Sequence, residues 1–319
     1  MGCINKKIPL RVVYGDSTLG VHAENVRYIF SYAVGGLESL VKGGMEWLYR
    51  APKPTFWRAL TDNDRGSRFH FSSGRWLAAD TFIQCKEISV CVDGKHLGCP
   101  CAPMNNAYSA EEYAKEVSLT FVYETIVSPI NQVSVTYTVK ETGVLYVSVH
   151  YYGVQGLPQL PVFGLRLIMP TLADKYRYEG LSGETYPDRK AGGMKGVYEI
   201  DDLSPTQYLV PQDCGMHMDT EWVEIYRHKT LDNSRKEETT QCLKVVASDE
   251  KFAFSCLPYT ASELENATHQ EELPPARRTV LCIYGAVRGV GGIDSWGSDV
   301  EKEYQVDASK DIIYSFEIK

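Results

Sequence analysis

Between Val133 and Tyr152 the chain alternates strictly. Val133, Val135, Tyr137 and Val139 interleave with Ser134, Thr136, Thr138 and Lys140; Leu145, Val147, Val149 and Tyr151 then interleave with Tyr146, Ser148, His150 and Tyr152. An extended backbone points successive side chains to opposite faces, so an apolar set at period two requires strands with one buried face. A helix would need its apolar residues three and four apart. Glu141-Thr142-Gly143 supplies the glycine of a hairpin turn between the two strands, and Ser128-Pro129-Ile130-Asn131 turns the chain after a further β-rich stretch from Val117 to Val127. Three consecutive strands are therefore expected to form an antiparallel meander.

Similar stretches recur near 10–14, 25–32, 38–49, 82–93, 162–169, 194–200, 217–227, 241–247, 252–257, 277–286 and 311–318. Helical signal is scarce. Thr260-Ala261-Ser262-Glu263 has the spacing of a capping box, but nothing repeats a strand–helix alternation, which argues against a (β/α)8 barrel or a doubly wound nucleotide-binding sheet. Gly289-Val290-Gly291-Gly292 has no helical pattern after it, so it is not read as a dinucleotide loop. No internal repeat and no long Pro/Gly/Ser linker divides the sequence. We therefore expect one large all-β domain over residues 1–319, with one or two short helices.

Charge excludes other classes. With 33 Lys+Arg against 41 Asp+Glu the formal charge is −8, and no long basic block is present to release counterions from nucleic acid. No apolar run reaches the roughly 20 residues of a membrane span, and Met1-Gly2-Cys3-Ile4-Asn5-Lys6-Lys7 leads into no apolar signal core. A cytoplasmic protein, with no nucleic acid or membrane partner, is expected. Nine Cys is an odd number, which suits free thiols in a reducing compartment. Cys85, Cys91, Cys99 and Cys101 are close in sequence but lack the paired CxxC spacing of structural zinc, so no metal site is expected in this chain.

Three clusters invite a chemical reading. Phe56-Trp57-Arg58-Ala59-Leu60-Thr61-Asp62-Asn63-Asp64-Arg65-Gly66 combines aromatics with carboxylates and an amide, as sugar recognition requires; the same residues suit a packed core and a hydrogen-bonded turn. Gly291-Gly292-Ile293-Asp294-Ser295-Trp296-Gly297 sets an indole on a glycine-rich loop, either exposed as a platform or buried as an anchor. In Gly183-Glu184-Thr185-Tyr186-Pro187-Asp188-Arg189, Glu184 or Asp188 has acid/base chemistry, although a carboxylate tethering a loop is the commoner use. Retaining glycoside hydrolysis needs two carboxyls about 5–5.5 Å apart and inversion about 6.5–9.5 Å, separations that spacing in sequence does not supply. His150, His217 and His269 each fit a structural histidine better than a catalytic one.

Five motifs together carry a resemblance: FWRALTDNDRG (56–66), GLSGETYPDR (180–189), YLVPQDCGMHM (208–218), FAFSCLPYTASELENATH (252–269) and GAVRGVGGIDSW (285–296). In this order they resemble the C-terminal domain of glycoside hydrolase family 2 β-galactosidases, and more closely the separate small subunit of the two-chain members. The similarity also takes in LRVVYGDSTLGV (10–21). The family's domain is a large antiparallel β-supersandwich, galactose-mutarotase-like, which agrees with the strand count. The resemblance implies that the catalytic glutamates, and the Mg and Na ions, belong to a large subunit, and that this chain completes the rim of a site for galactosides such as lactose. Trp296 matches the aromatic residue that stacks on the aglycone sugar, with Asp294 and Ser295 beside it. Gly66 matches the glycine that opens a mobile active-site loop, continued here by Ser67, Arg68 and Phe69. Ser67 to Gly74 departs from the single-chain enzymes, and Leu60 stands where Pro is common. The residues leave two other readings open: a free-standing mutarotase-like aldose epimerase, and a non-catalytic carbohydrate-binding or structural module.

Overall fold

The computed structural model describes residues 9–102, 112–234, 239–294 and 297–319. Among the described residues its strands form three sheets, paired antiparallel throughout. The largest has ten strands in the order Lys195–Ile200, Lys175–Leu181, Trp222–Arg227, Gln241–Ala247, Ile312–Ile318, Leu145–Tyr151, Gln132–Lys140, Glu116–Glu124, Gln84–Val92 and Lys95–Gly98. The expected meander is its centre. Val135 pairs with Phe121 on one side and Val149 on the other, and Gly143, at φ +78°, makes the turn its missing Cβ allows. Burial follows the sequence alternation: Val133, Val135, Tyr137 and Val139 are buried, as are Leu145, Val147, Val149 and Tyr151.

A six-stranded sheet carries the N-terminal strands from Leu10 to Glu46 with Tyr113–Ala114, and a five-stranded sheet runs Met216–Thr220, Phe252–Leu257, Thr279–Val287, Val162–Met169, Arg50–Thr55. One continuous cluster of buried side chains, from Leu10 to Ile318, joins all three sheets. At its middle Phe56 stacks on Trp76 at 5.4 Å and Phe163 meets Tyr151 at 5.2 Å.

Several strands escape the sequence reading for physical reasons. Arg50–Thr55 contains Pro52 and Pro54, which cannot donate to a ladder; it lies at the edge of its sheet, where one side needs no donors. The run 217–227 is two strands in two sheets: Asp219, at φ +54°, bends the chain, so that Met216–Thr220 joins the five-stranded sheet and Trp222–Arg227 the ten-stranded one. Asp93 and Gly94, both at positive φ, close a tight hairpin onto Lys95–Gly98.

Among the described residues there are three short α-helices against the one or two expected: α1 (Asp62–Gly66), α2 (Phe69–Ser73) and α3 (Ala261–Asn266). The Thr260–Glu263 capping box opens α3, and Thr61 with Asp64 forms the same reciprocal pair at α1. Among the described residues no helix is long and apolar enough to cross a membrane. The eight described cysteines are free thiols, and no group of three or more His, Cys, Asp or Glu among the described residues is placed to hold a metal ion.

Candidate functional site

All five sequence motifs converge on one junction at the edge of the five-stranded sheet. Asp64 is its centre. Thr61 is the N-cap of α1, so Asp64 falls at the third helical position and its Oδ2 accepts from the Thr61 backbone N–H at 3.1 Å. The same carboxylate accepts from Arg58 Nη2 at 3.1 Å and, through Oδ1, from Arg288 Nη1 at 2.9 Å. Asp64, Arg58 and Arg288 are all buried, with at most 1% of each exposed. Burial disfavours the Arg58 cation, but the Asp64 and Asp213 carboxylates outweigh that penalty and hold its pKa above the ordinary value. Arg288 also donates to Asp299, which lies on the far side of the 289–297 loop.

This triad holds the glycine-rich loop at its base. Arg58 donates to the carbonyls of Arg288 and Gly289 at 3.1 and 2.9 Å, and Asn63 Nδ2 donates to the Val290 carbonyl at 3.0 Å. From the other side Asp188 accepts from the backbone N–H groups of Val290 and Gly291, at 2.9 and 2.8 Å, while Arg189 donates to the Gly291 carbonyl. The approach is too close for side chains. A Cβ on Gly289 would sit 2.7 Å from the Asp188 carboxyl carbon, and one on Gly292, at φ +81°, would sit 2.5 Å from Asn63.

The remaining motifs brace this arrangement from below. Gln212 Oε1 accepts from the Asp62 N–H at 2.9 Å, and the Asp213 N–H donates to the Ala59 carbonyl at 3.2 Å. Glu265, on α3, accepts from the Leu60 N–H at 2.7 Å and from the Trp57 indole. Ala59, Cys214, Leu257 and Leu264 pack as a small separate core beneath. Tyr186 donates to Asp213 Oδ2 at 2.9 Å; burial pushes the Asp213 pKa up to about 7, against the opposing pull of Arg58 and that hydrogen bond. Arg58, Gln212, Asp213, Glu265 and Arg288 carry this architecture without being singled out by sequence reasoning. Their signal was present in the motifs, but a structural arginine and a ligand-binding one look alike in sequence.

Phe56 and Trp57 are buried core residues, not an exposed platform. Asp188 tethers a loop, and Glu184 does so too, accepting from the Gly215 N–H and from Thr206 Oγ1, each at 2.9 Å. Asp294 lies exposed at the loop's outer end, and Ser295 and Trp296 lie outside the described residues. Gly66 is exposed at the end of α1, Ser67 caps it, and Arg68 adopts a left-handed conformation at φ +60°. Phe69 is buried, with the Arg288 guanidinium 3.9 Å above its ring.

The three candidate histidines make structural contacts. His217 is buried between the Gly183 carbonyl and the Tyr176 hydroxyl, each at 2.9 Å, and burial lowers its pKa to about 4. His150 contacts Asp311 at 2.7 Å, and His269 contacts Glu272. None of these three stands with a glutamate in the kind of buried acid–base pair that an epimerase requires.

Comparison with known proteins fits this picture. A family model described as β-galactosidase small chain matches residues 22–318. The chain is 58% identical over 318 residues to the β-galactosidase small subunit of Latilactobacillus sakei, covering 100% of this chain and 99% of that one. It is 34% identical over 328 residues to the β-galactosidase of Halalkalibacterium halodurans, covering 100% of this chain but 29% of that protein. Among solved structures it is similar to a putative aldose 1-epimerase from Escherichia coli K12, with 10% identity, a TM-score of 0.45 and coverage of 97% of this chain and 98% of that one. With its match to the family model and its near end-to-end identity with the small subunit, this chain belongs to the β-galactosidase small chain family.

Proposed function

We propose that residues 1–319 act as one unit, the small subunit of a two-chain cytoplasmic β-galactosidase that hydrolyses terminal β-D-galactosides such as lactose. The catalytic glutamates, with Mg and Na, then belong to the large subunit, and this chain completes the rim of the shared site. The observation that carries this reading is the junction itself: three of the five motifs spend carboxylates on holding loops. Asp64 is bound by two arginines, Asp188 by loop N–H groups, Glu184 by Gly215 and Thr206, and Glu265 by Leu60 and Trp57. Carboxylates so engaged are poor candidates for proton transfer or nucleophilic attack.

In this reading the braced loop presents Trp296, flanked by Asp294 and Ser295, to the aglycone sugar. Gly66, Ser67, Arg68 and Phe69 form the loop that opens and closes over substrate, and the contact of Phe69 with Arg288 sets its far limit. Covering about 60–80 Å² of a pyranose face on an indole contributes roughly 1.5–2 kcal/mol, a tenfold to thirtyfold effect. A glycosidase must lower its barrier by far more, which requires the partner's carboxylates.

The purified chain alone is expected to show no hydrolysis of a nitrophenyl galactoside, with activity appearing on addition of the large subunit. Hydrolysis by the chain alone overturns the division of labour. In the reconstituted enzyme Trp296→Ala is expected to raise KM for lactose about tenfold to thirtyfold; unchanged kinetics with lactose and with acceptor sugars removes Trp296 from the site.

A further inference from the structure

One end of the ten-stranded sheet gathers several exposed apolar side chains from neighbouring segments. Phe71, on α2, is 78% exposed, and Leu77, in the turn that follows, is exposed as well. Trp76 between them is buried and stacked on Phe56, so the backbone is anchored while its neighbours point outward. Arg75 Nη1 donates to the Ser128 carbonyl at 2.8 Å, which lays this segment against the 125–131 hairpin turn, where Ile126 and Ile130 are exposed. Gln84 pairs with Glu124, and that register brings Phe82, 58% exposed, to the same end as Ile126.

Charge singles out the same segment. The chain carries −8 overall, yet from Arg65 to Ala79 there are three arginines and no acidic residue. Exposed apolar side chains gathered on neighbouring segments at one end of a sheet mark surface that a partner covers.

We infer that Phe71, Leu77, Phe82, Ile126 and Ile130 form a docking face for the large subunit, received there by an apolar patch with a carboxylate rim. This rests on the reading given under Proposed function. The occupant follows from length: the stretch that matches this chain is 29% of the Halalkalibacterium halodurans enzyme, so more than two thirds of that single chain lies outside it and is available to cover such a face. The face is also continuous with the loop-bracing junction, since α2 follows α1 directly and Phe69 packs under Arg288. Aromatic anchors beside the arginines of this segment give both the burial and the orientation that a specific interface needs.

The test titrates the small chain into the large chain and reads complex by size-exclusion chromatography and galactosidase activity. Phe71→Asp with Leu77→Asp is expected to weaken assembly at least a hundredfold. Met194→Asp with Leu231→Asp, at exposed apolar positions elsewhere, is expected to stay within threefold of wild type. Wild-type assembly by the Phe71/Leu77 variant, or equal weakening by the Met194/Leu231 variant, overturns the docking face and leaves the subunit reading intact. Failure of the wild-type chains to assemble overturns that reading and the face with it. Because an aspartate in α2 also stresses folding, amide hydrogen exchange on the wild-type complex gives a second measurement. Slowed exchange over 69–82 and 125–131 is expected on assembly, and unchanged exchange there overturns the face.

Discussion

In the Glu116–Tyr151 meander, Leu119, Phe121, Val135 and Val149 are buried, and most of their in-between neighbours are partly exposed. At the junction Arg58, Asp64 and Arg288 are buried to the same degree, yet every one is charged. The meander is held by apolar burial, which has no preferred direction and tolerates exchange among residues of similar size. The junction is held by charged donors and acceptors that must meet particular partners in particular directions. The teaching point is that equal burial conceals unequal tolerance. A small change in the core loosens it, whereas a small change in the junction leaves a charge stranded.

The largest effect is expected from Asp64→Ala. Removing one carboxylate from between two buried guanidiniums is expected to cost about 3–5 kcal/mol, read as a lowered midpoint of chemical unfolding. Asp64→Asn, which keeps the shape but not the charge, should recover only part of it. A loss within experimental error would mean that water replaces the carboxylate and that the junction is not the rigid brace described above. Leu119→Ala is the matching core substitution, expected to cost about 3 kcal/mol through lost burial and the cavity left behind. It should leave loop-dependent sugar affinity in the assembled enzyme unchanged, in contrast to Asp64→Ala.

The smallest effect is a pH dependence. Asp213, with its folded pKa up at about 7, keeps a proton that an unfolded aspartate loses near 4, so its contribution to stability is full at low pH and is lost as pH rises from about 4 to 7. His217, lowered to about 4, works in the opposite sense: its contribution is present above about 6.5 and is lost as pH falls toward 4. The two slopes oppose one another in the wild type. Because Asp213 is partly exposed, its share is discounted to about 2 kcal/mol. Asp213→Asn keeps an acceptor for Tyr186 and is expected to gain that much relative to wild type between pH 4 and 7, measured by denaturant titration at several pH values. A pH-independent difference would show that Asp213 is ionised throughout.

Much of the fold was legible because period-two alternation is a local signal. Val133–Tyr151 announces both strands, Gly143 announces their turn, and Thr260 with Glu263 announces α3. Arg50–Thr55 was hidden by its prolines, acceptable only because that strand lies at an edge, a fact about its neighbours rather than itself. For the junction, the motifs were visible but their roles were not. Asp188 reads in sequence as an acid, a base or a tether, and only the positions of Val290 and Gly291, a hundred residues away, make it a tether.

By itself, then, the sequence determined the all-β character, the faces of the central strands and the list of motifs that travel together, since each follows from residues a few positions apart. The tertiary structure decided which carboxylates are neutralised, which aromatics are core and which are left in water. Asp64 meets Arg288 across 224 positions of chain, and no local pattern encodes a contact of that range. Long-range partners fix the charge state and exposure of a side chain, and those two properties separate a brace from a reactive group.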